Sequence, residues 1–392
     1  MGKIEQAAQA LVAEVRSIYG HAPVPLHRPV FDGNEKRYLV DCIDSNFVSS
    51  VGQKVTDFEQ SVARYVGVRH AIATVNGTAA LHVALQLAGV QPGDEVLTQA
   101  LTFVATCNAV RYCGAQPVFI DVDRDTLGMS PQALQKWLDA NVEMRDGQPY
   151  NRGTGRRIAA CLPMHTFGFP LRIEWVVQAC KYFNLPVVED AAESLGSDIA
   201  RRHTGTFGKL AAMSFNGNKI ITTGGGGMIL TNDDALAARA KHLTTTAKLP
   251  HAFEFVHDEV GYNYRLPNLN AALGCAQMER LPEMLKIKAD VAARYAEFCA
   301  HAGLNLVLPV EDEIAPNWWL NAVVLDSRED RDALLQLTNA QGVMTRPIWR
   351  LMPRLEMYKD CQHDGLANSY WLEDRVVNLP SSVPDGALAR WA

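Results

Sequence analysis

Residues 71–122 read AIATVNGTAALHVALQLAGVQPGDEVLTQALTFVATCNAVRYCGAQPVFIDV, and the periodicity inside this stretch decides the fold. AIATV (71–75), EVLTQ (95–99) and PVFIDV (117–122) are short, apolar and β-prone, which is the pattern of buried strands. Between them, LHVALQLAGV and FVATCNAVRYCG carry apolar residues at helical spacing, with Leu81, Ala84, Leu85 and Ala88 on one face. The same alternation continues outward through RIAACLPM (157–164), a helix near IEWVVQACKYF, PVVED (186–190), AAMSF (211–215) and GMILTN (227–232). Strands separated by helices imply an α/β fold, a largely parallel sheet covered on both faces. Ligands in such sheets sit beyond the carboxyl ends of the strands, so the residues just after each run matter most.

Further along the chain, EMRDGQPYNRGTGRR (143–157) reads as an exposed loop or turn. From about 267 a long helical tract, interrupted at Pro282, leads into NAVVLDS and RDALLQLTNAQG. The expected division is 1–266, an N-terminal helix plus a large α/β domain, and 267–392, a smaller α+β domain. Residues 1–20 form an amphipathic helix with no signal-peptide cleavage site, and no apolar run reaches the roughly 20 residues a membrane span needs. A net charge of -6 provides no field for nucleic acid. The eight scattered cysteines lack zinc spacing and read as buried thiols of a cytoplasmic protein.

Several strand-end residues can carry chemistry. Lys219 sits in SFNGNKIITTGGGGMIL (214–230), between two strand-like runs and beside glycine-rich backbone. Burial suits a lysine to attack a carbonyl as a neutral amine, although a lone lysine is most often a solvated charge. The run Gly224–Gly227 leads into a strand and not a helix, so it is no dinucleotide fingerprint. It reads as a turn, as clearance for a ligand, or both. Asp190 and Glu193 follow PVVED; Asp190 can pair with a pyridine nitrogen or cap a helix begun by AAES. In Asn76-Gly77-Thr78-Ala79 the first helix amides and the Thr78 hydroxyl can grip a phosphate, or the turn is a plain cap. Phe103 can stack on a planar ring or pack in the core. His165 follows a strand in PMHTFG and reads as structural or catalytic.

Taken together, NGTAALHVAL, PGDEVLTQALTFVAT, GAQPVFIDVD, VVEDAAES, SFNGNK and GYNYRLPNLNAALG resemble the DegT/DnrJ/EryC/StrS family of nucleotide-sugar aminotransferases, over nearly the whole chain. The resemblance implies a fold-type I enzyme that uses pyridoxal phosphate, with a mostly parallel seven-stranded sheet between helices. Lys219 matches the lysine that bonds to the cofactor as a Schiff base and then shuttles a proton. Asp190 matches the partner of the pyridinium nitrogen. Glu193 falls beside the ring hydroxyl, where many members have glutamine. Phe103 matches the stacked aromatic, and Gly77, Thr78 and Ser214 the phosphate contacts. Asn263 resembles an asparagine that reaches the neighbouring subunit's phosphate, which implies a homodimer with shared sites. A branch with histidine in place of the lysine dehydrates its sugars; Lys219 therefore implies ping-pong transamination with L-glutamate and 2-oxoglutarate. VFDGNEKRYLVDCIDSNFVSSVG (30–52), the loop before RRIAACLPMHTFGFP and HDEVGYNYRLPNLNAALGCAQM (257–278) resemble the branch acting on UDP-4-keto-6-deoxy-N-acetylhexosamines; the alternatives are a GDP-4-keto-6-deoxymannose aminotransferase and a non-catalytic regulatory protein of the same fold. His165, Arg265, Trp318, Trp319 and Arg346 are the candidate substrate contacts.

Overall fold

The seven apolar runs become the strands of one sheet: β1 (His70–Thr74), β2 (Glu95–Gln99), β3 (Gln116–Ile120), β4 (Ile158–Leu162), β5 (Val188–Asp190), β6 (Leu210–Ser214) and β7 (Gly227–Thr231). The computed structural model describes residues 2–388. β2 pairs in parallel with β3 and β4, and β6 in parallel with β5. Parallel bridges Cys161–Val187 and Met164–Asp190 join β4 to β5. β7 runs antiparallel between β6 and β1. The order is therefore β3-β2-β4-β5-β6-β7-β1, with β7 alone reversed.

Alternate residues of these strands face two different cores, as a period of two requires. Ala71, Ala73, Ala211, Met213, Met228 and Leu230 pack with Phe58, Val62, Leu281 and Met284, which belong to helices Gln53–Val66 and Asn268–Ala302. Ile72, Ala212 and Ile229 point the other way, toward Leu81, Val83, Leu85 and Leu243 of helices Gly77–Leu87 and Asp234–Thr244. A sheet sealed on both sides leaves only its edges and strand ends to bind anything.

Three elements differ from expectation. The segment read as a loop at 143–157 contains a hairpin, Val142–Arg145 with Gln148–Asn151, turned by Asp146 and Gly147, both at positive φ. Asp-Gly is the pair that such a tight turn favours. The helical tract is not interrupted at Pro282; a single helix, Asn268–Ala302, runs through it. Proline there costs about 3 kcal/mol, and burial of Met278, Leu281, Met284 and Ile287 around it outweighs that cost. AAES forms a turn and no helix, so Asp190 caps nothing.

The C-terminal region builds a second, antiparallel sheet from Asn305–Leu306, Asn321–Val324, Val376–Leu379 and Arg346–Pro347, adjacent in that order. Helix Lys3–Tyr19, grouped above with the large sheet, packs here instead. Its buried face of Ala8, Leu11, Val12 and Val15 shares a core with Leu334, Val323 and Val377. All eight cysteines are free thiols, with Cys275 and Cys361 only half-buried. Among the described residues no helix is long and apolar enough to cross a membrane.

Candidate active site

β1 ends at Thr74, and Asn76 caps helix Gly77–Leu87 by accepting the Ala79 amide at 2.8 Å. The first amides of a helix have no acceptor within it, so those of Gly77 and Thr78 are available at a cavity of about 330 Å³. Ser214, the last residue of β6, lines the same end. Two glycines make this junction possible. A Cβ on Gly77 would lie 2.8 Å from that of Ser214, and one on Gly227 would lie 2.4 Å from the Asn76 carbonyl oxygen. Gly224, at φ +81°, supplies the turn before β7. The glycine run is thus both turn and clearance.

Two carboxylates and an amine occupy the other end. Asp190 ends β5 almost fully buried; one oxygen accepts from the Thr106 hydroxyl at 2.7 Å and the other from the Ala192 amide at 3.2 Å. Burial pushes its carboxyl above the ordinary range, against the Thr106 and Ala192 bonds and the Lys219 charge. Glu193 accepts the Phe167 amide at 2.9 Å on one oxygen and the Lys219 ammonium at 3.0 Å on the other. Burial raises its carboxyl to about 7 even so. Lys219 Nζ also lies 4.0 Å from the centroid of the Trp319 ring. Phe103 and Trp349 complete the walls, their ring centroids 6.3 Å apart.

Gly77, Thr78, Phe103, Asp190, Glu193, Ser214 and Lys219 therefore meet in one cavity. Five other candidates lie outside it. His165 is fully buried behind the sheet: its Nδ1 accepts the Leu171 amide at 3.3 Å, so Nε2 donates to Glu189 at 3.0 Å. Trp318 packs edge-on against Phe169, while its neighbour Trp319 lines the cavity. Arg346 is exposed and bonds to Asn339 at 3.1 Å. Arg265 bridges Thr74 through its backbone, and Asn263 is exposed. Sequence reasoning missed Thr106, Met164, Asn218 and Trp349. Thr106 was legible in principle, one turn after Phe103 in the same strand-end motif.

The DegT/DnrJ/EryC1/StrS aminotransferase family model matches residues 29–384. GDP-perosamine synthase of Caulobacter vibrioides is 36% identical over 356 residues, 90% of this chain and 91% of its own. EpsN of Bacillus subtilis is 37% identical over 330 residues, 84% of this chain and 82% of its own. Among solved structures, a DegT DnrJ EryC1 StrS aminotransferase from Brucella abortus is 26% identical, with a TM-score of 0.80 over 89% of this chain and 90% of its own.

Proposed function

From the premise that the chain belongs to the DegT/DnrJ/EryC1/StrS aminotransferase family and is a pyridoxal phosphate-dependent sugar aminotransferase, we propose that it transfers an amino group from L-glutamate to the 4-keto carbon of a UDP-4-keto-6-deoxy-N-acetylhexosamine. The observation that carries the chemistry is the Lys219–Glu193–Asp190 cluster sharing one cavity with the Gly77–Thr78 amides.

The donor set fits the cofactor. The free amides of Gly77 and Thr78, with the Ser214 hydroxyl, suit a phosphate. Asp190 is a buried carboxylate with spare acceptor capacity, and a protonated ring nitrogen beside it would relieve the burial that raises its carboxyl. Phe103 offers an aromatic face, and Glu193 is placed to meet a ring hydroxyl. When bound, pyridoxal phosphate stabilises the carbanion formed at the substrate's amine-bearing carbon. The protein's own tasks are then few. Asp190 would hold a proton on the ring nitrogen. Nζ of Lys219 would be the group that carries the proton to and from the substrate carbon in both half-reactions. Glu193 Oε1 positions that amine, and Trp319 and Trp349 supply apolar wall to the cavity.

The UDP-linked substrate rests on the resemblance of residues 30–52 and 257–278 to that branch. A second reading, GDP-4-keto-6-deoxymannose, is favoured by relatives named GDP-perosamine synthase at 33–36% identity. We further propose a homodimer in which Asn263, exposed and outside the lining of its own cavity, serves the partner's phosphate. The deciding experiment offers glutamate with UDP-, GDP- and dTDP-4-ketosugars and identifies the aminated product. The UDP sugar is expected to be aminated, and exclusive turnover of the GDP sugar would replace this substrate with the second. Lys219→Ala is expected to abolish both the yellow colour of the loaded protein and turnover; a variant that keeps both removes Lys219 from the mechanism.

A further inference from the structure

Beneath the cavity, helix Asn268–Ala302 turns one ammonium inward. Lys288 is only 1% exposed, and its three hydrogen-bond partners are neutral: His27 Nε2 at 3.1 Å, the Trp319 carbonyl at 3.3 Å and the Ser381 carbonyl. Burial lowers its ammonium to about 7. Burial, with the Lys288 and Lys219 charges, also holds the His27 imidazole well below its usual value, so Nε2 stays an acceptor. A buried cation without an anion is costly, and a well-packed apolar residue would make a more stable core. Stability is therefore a poor explanation for a lysine at this position.

What the ammonium holds is the floor of the catalytic cavity. Trp319 is fixed at three points. Its carbonyl accepts from Lys288, its amide donates to Asn317 Oδ1 at 2.8 Å, and its indole N–H donates to the Asn218 carbonyl at 2.6 Å. Asn317 in turn donates to the carbonyls of Glu193 and Leu195 at 2.8 and 2.9 Å. The indole thus lies between the Glu193 loop and the Lys219 loop, with Lys219 Nζ over its face. The opposite end of the clamp is equally anchored. Tyr295 donates to the Pro380 carbonyl at 2.8 Å, and Asn321 N–H to the Ser381 hydroxyl at 2.8 Å.

We propose that Lys288 is a positioning residue of the active site: by clamping the Trp319 carbonyl against Ser381 and His27, it fixes the indole that supports Lys219 and so sets how readily the site takes up its cofactor. The inference rests on the reading of Lys219 as the cofactor-bearing lysine. It is tested on cofactor-free protein by adding pyridoxal phosphate and following the growth of the visible absorption band, with a thermal melt of each variant alongside. Lys288→Met is expected to melt within a few degrees of the parent or above it, yet to take up the cofactor roughly tenfold more slowly, as loss of a charge-assisted bond predicts. Trp319→Phe, which loses the bond to Asn218, is expected to slow uptake comparably. Because one residue acts through the other, the double variant should be no slower than the slower single. Uptake by Lys288→Met at the parent rate, or effects that multiply, would overturn the proposal. Should Lys288→Met not fold, His27→Leu removes one leg of the clamp. It should slow uptake non-additively with Trp319→Phe, and a parental rate there overturns the proposal equally. If Lys219→Ala still develops the band, the assignment of Lys219 has failed, independently of the clamp.

Discussion

Lys219 and Glu193 lie 26 positions apart in sequence and 3.0 Å apart in space, and burial makes Glu193 a titrating group although the Lys219 charge opposes it. Its carboxyl stands at about 7 in the fold against an ordinary 4.5. The folded chain thus keeps a proton that the unfolded chain has released, so this stabilisation is complete below about pH 4.5 and is lost as pH rises through about 7. The difference is worth on the order of 3 kcal/mol. Glu193→Gln carries no such proton. Thermal midpoints of cofactor-free parent and variant, measured from roughly pH 5 to pH 8, should show the parent losing stability relative to the variant. A constant difference across that range refutes the raised carboxyl. Sequence position gave the strand ends, so Asp190 and Lys219 were legible. It did not give which face a neighbour takes. Met164 lines the cavity and His165, one residue on, points into the buried layer behind it, because successive side chains beyond a strand diverge. The same divergence separates Trp319 from Trp318, whose φ of +54° turns it onto Phe169.

At the scale of elements, the strands were legible because fully buried parallel strands tend to be continuous apolar runs, as IAACL (158–162) is. The hairpin at 142–151 escaped because its two four-residue strands are short and mostly polar, and only its Asp-Gly turn marks it. Pro282 misled because local propensity yields to burial along a helix packed on a core. The junction between β7 and helix Gly77–Leu87 depends on glycine for space alone. Gly227→Ala would press a methyl against the Asn76 carbonyl at 2.4 Å and the Gly77 amide at 2.7 Å. Since the contact is backbone, the turn itself must shift, at a cost of about 1–3 kcal/mol in stability. Cofactor affinity should fall more than stability does, because the displaced amides are those proposed to hold the phosphate. Equilibrium titration with pyridoxal phosphate, set beside a denaturant melt, separates the two effects. Equal affinity in parent and variant would show that this turn does not bind the cofactor.

Among the described residues several large apolar side chains stand exposed, which is where a partner surface would be sought. The hairpin Lys248–Leu249/Val256–His257 carries Phe253 and Phe255 at 91% and 80% exposure, and Val260 follows at 83%. Ile43, Phe47 and Val51, in and just after helix Glu35–Asp44, are exposed as well. Asn263 closes this segment, three residues after Val260, and is itself exposed. The homodimer proposed above has a second copy covering these side chains, with Asn263 serving that copy's cavity. Two outcomes follow from that arrangement. Phe253→Glu with Phe255→Glu should halve the sedimenting mass and abolish turnover together. More tellingly, Lys219→Ala and Asn263→Ala, each inactive or weak alone, should complement when mixed and allowed to exchange. In a mixed dimer one site inherits both defects and the other neither, so random exchange recovers about a quarter of parental activity. If Asn263 served only its own chain's cavity, each mixed site would carry one defect or the other, and mixing would recover nothing.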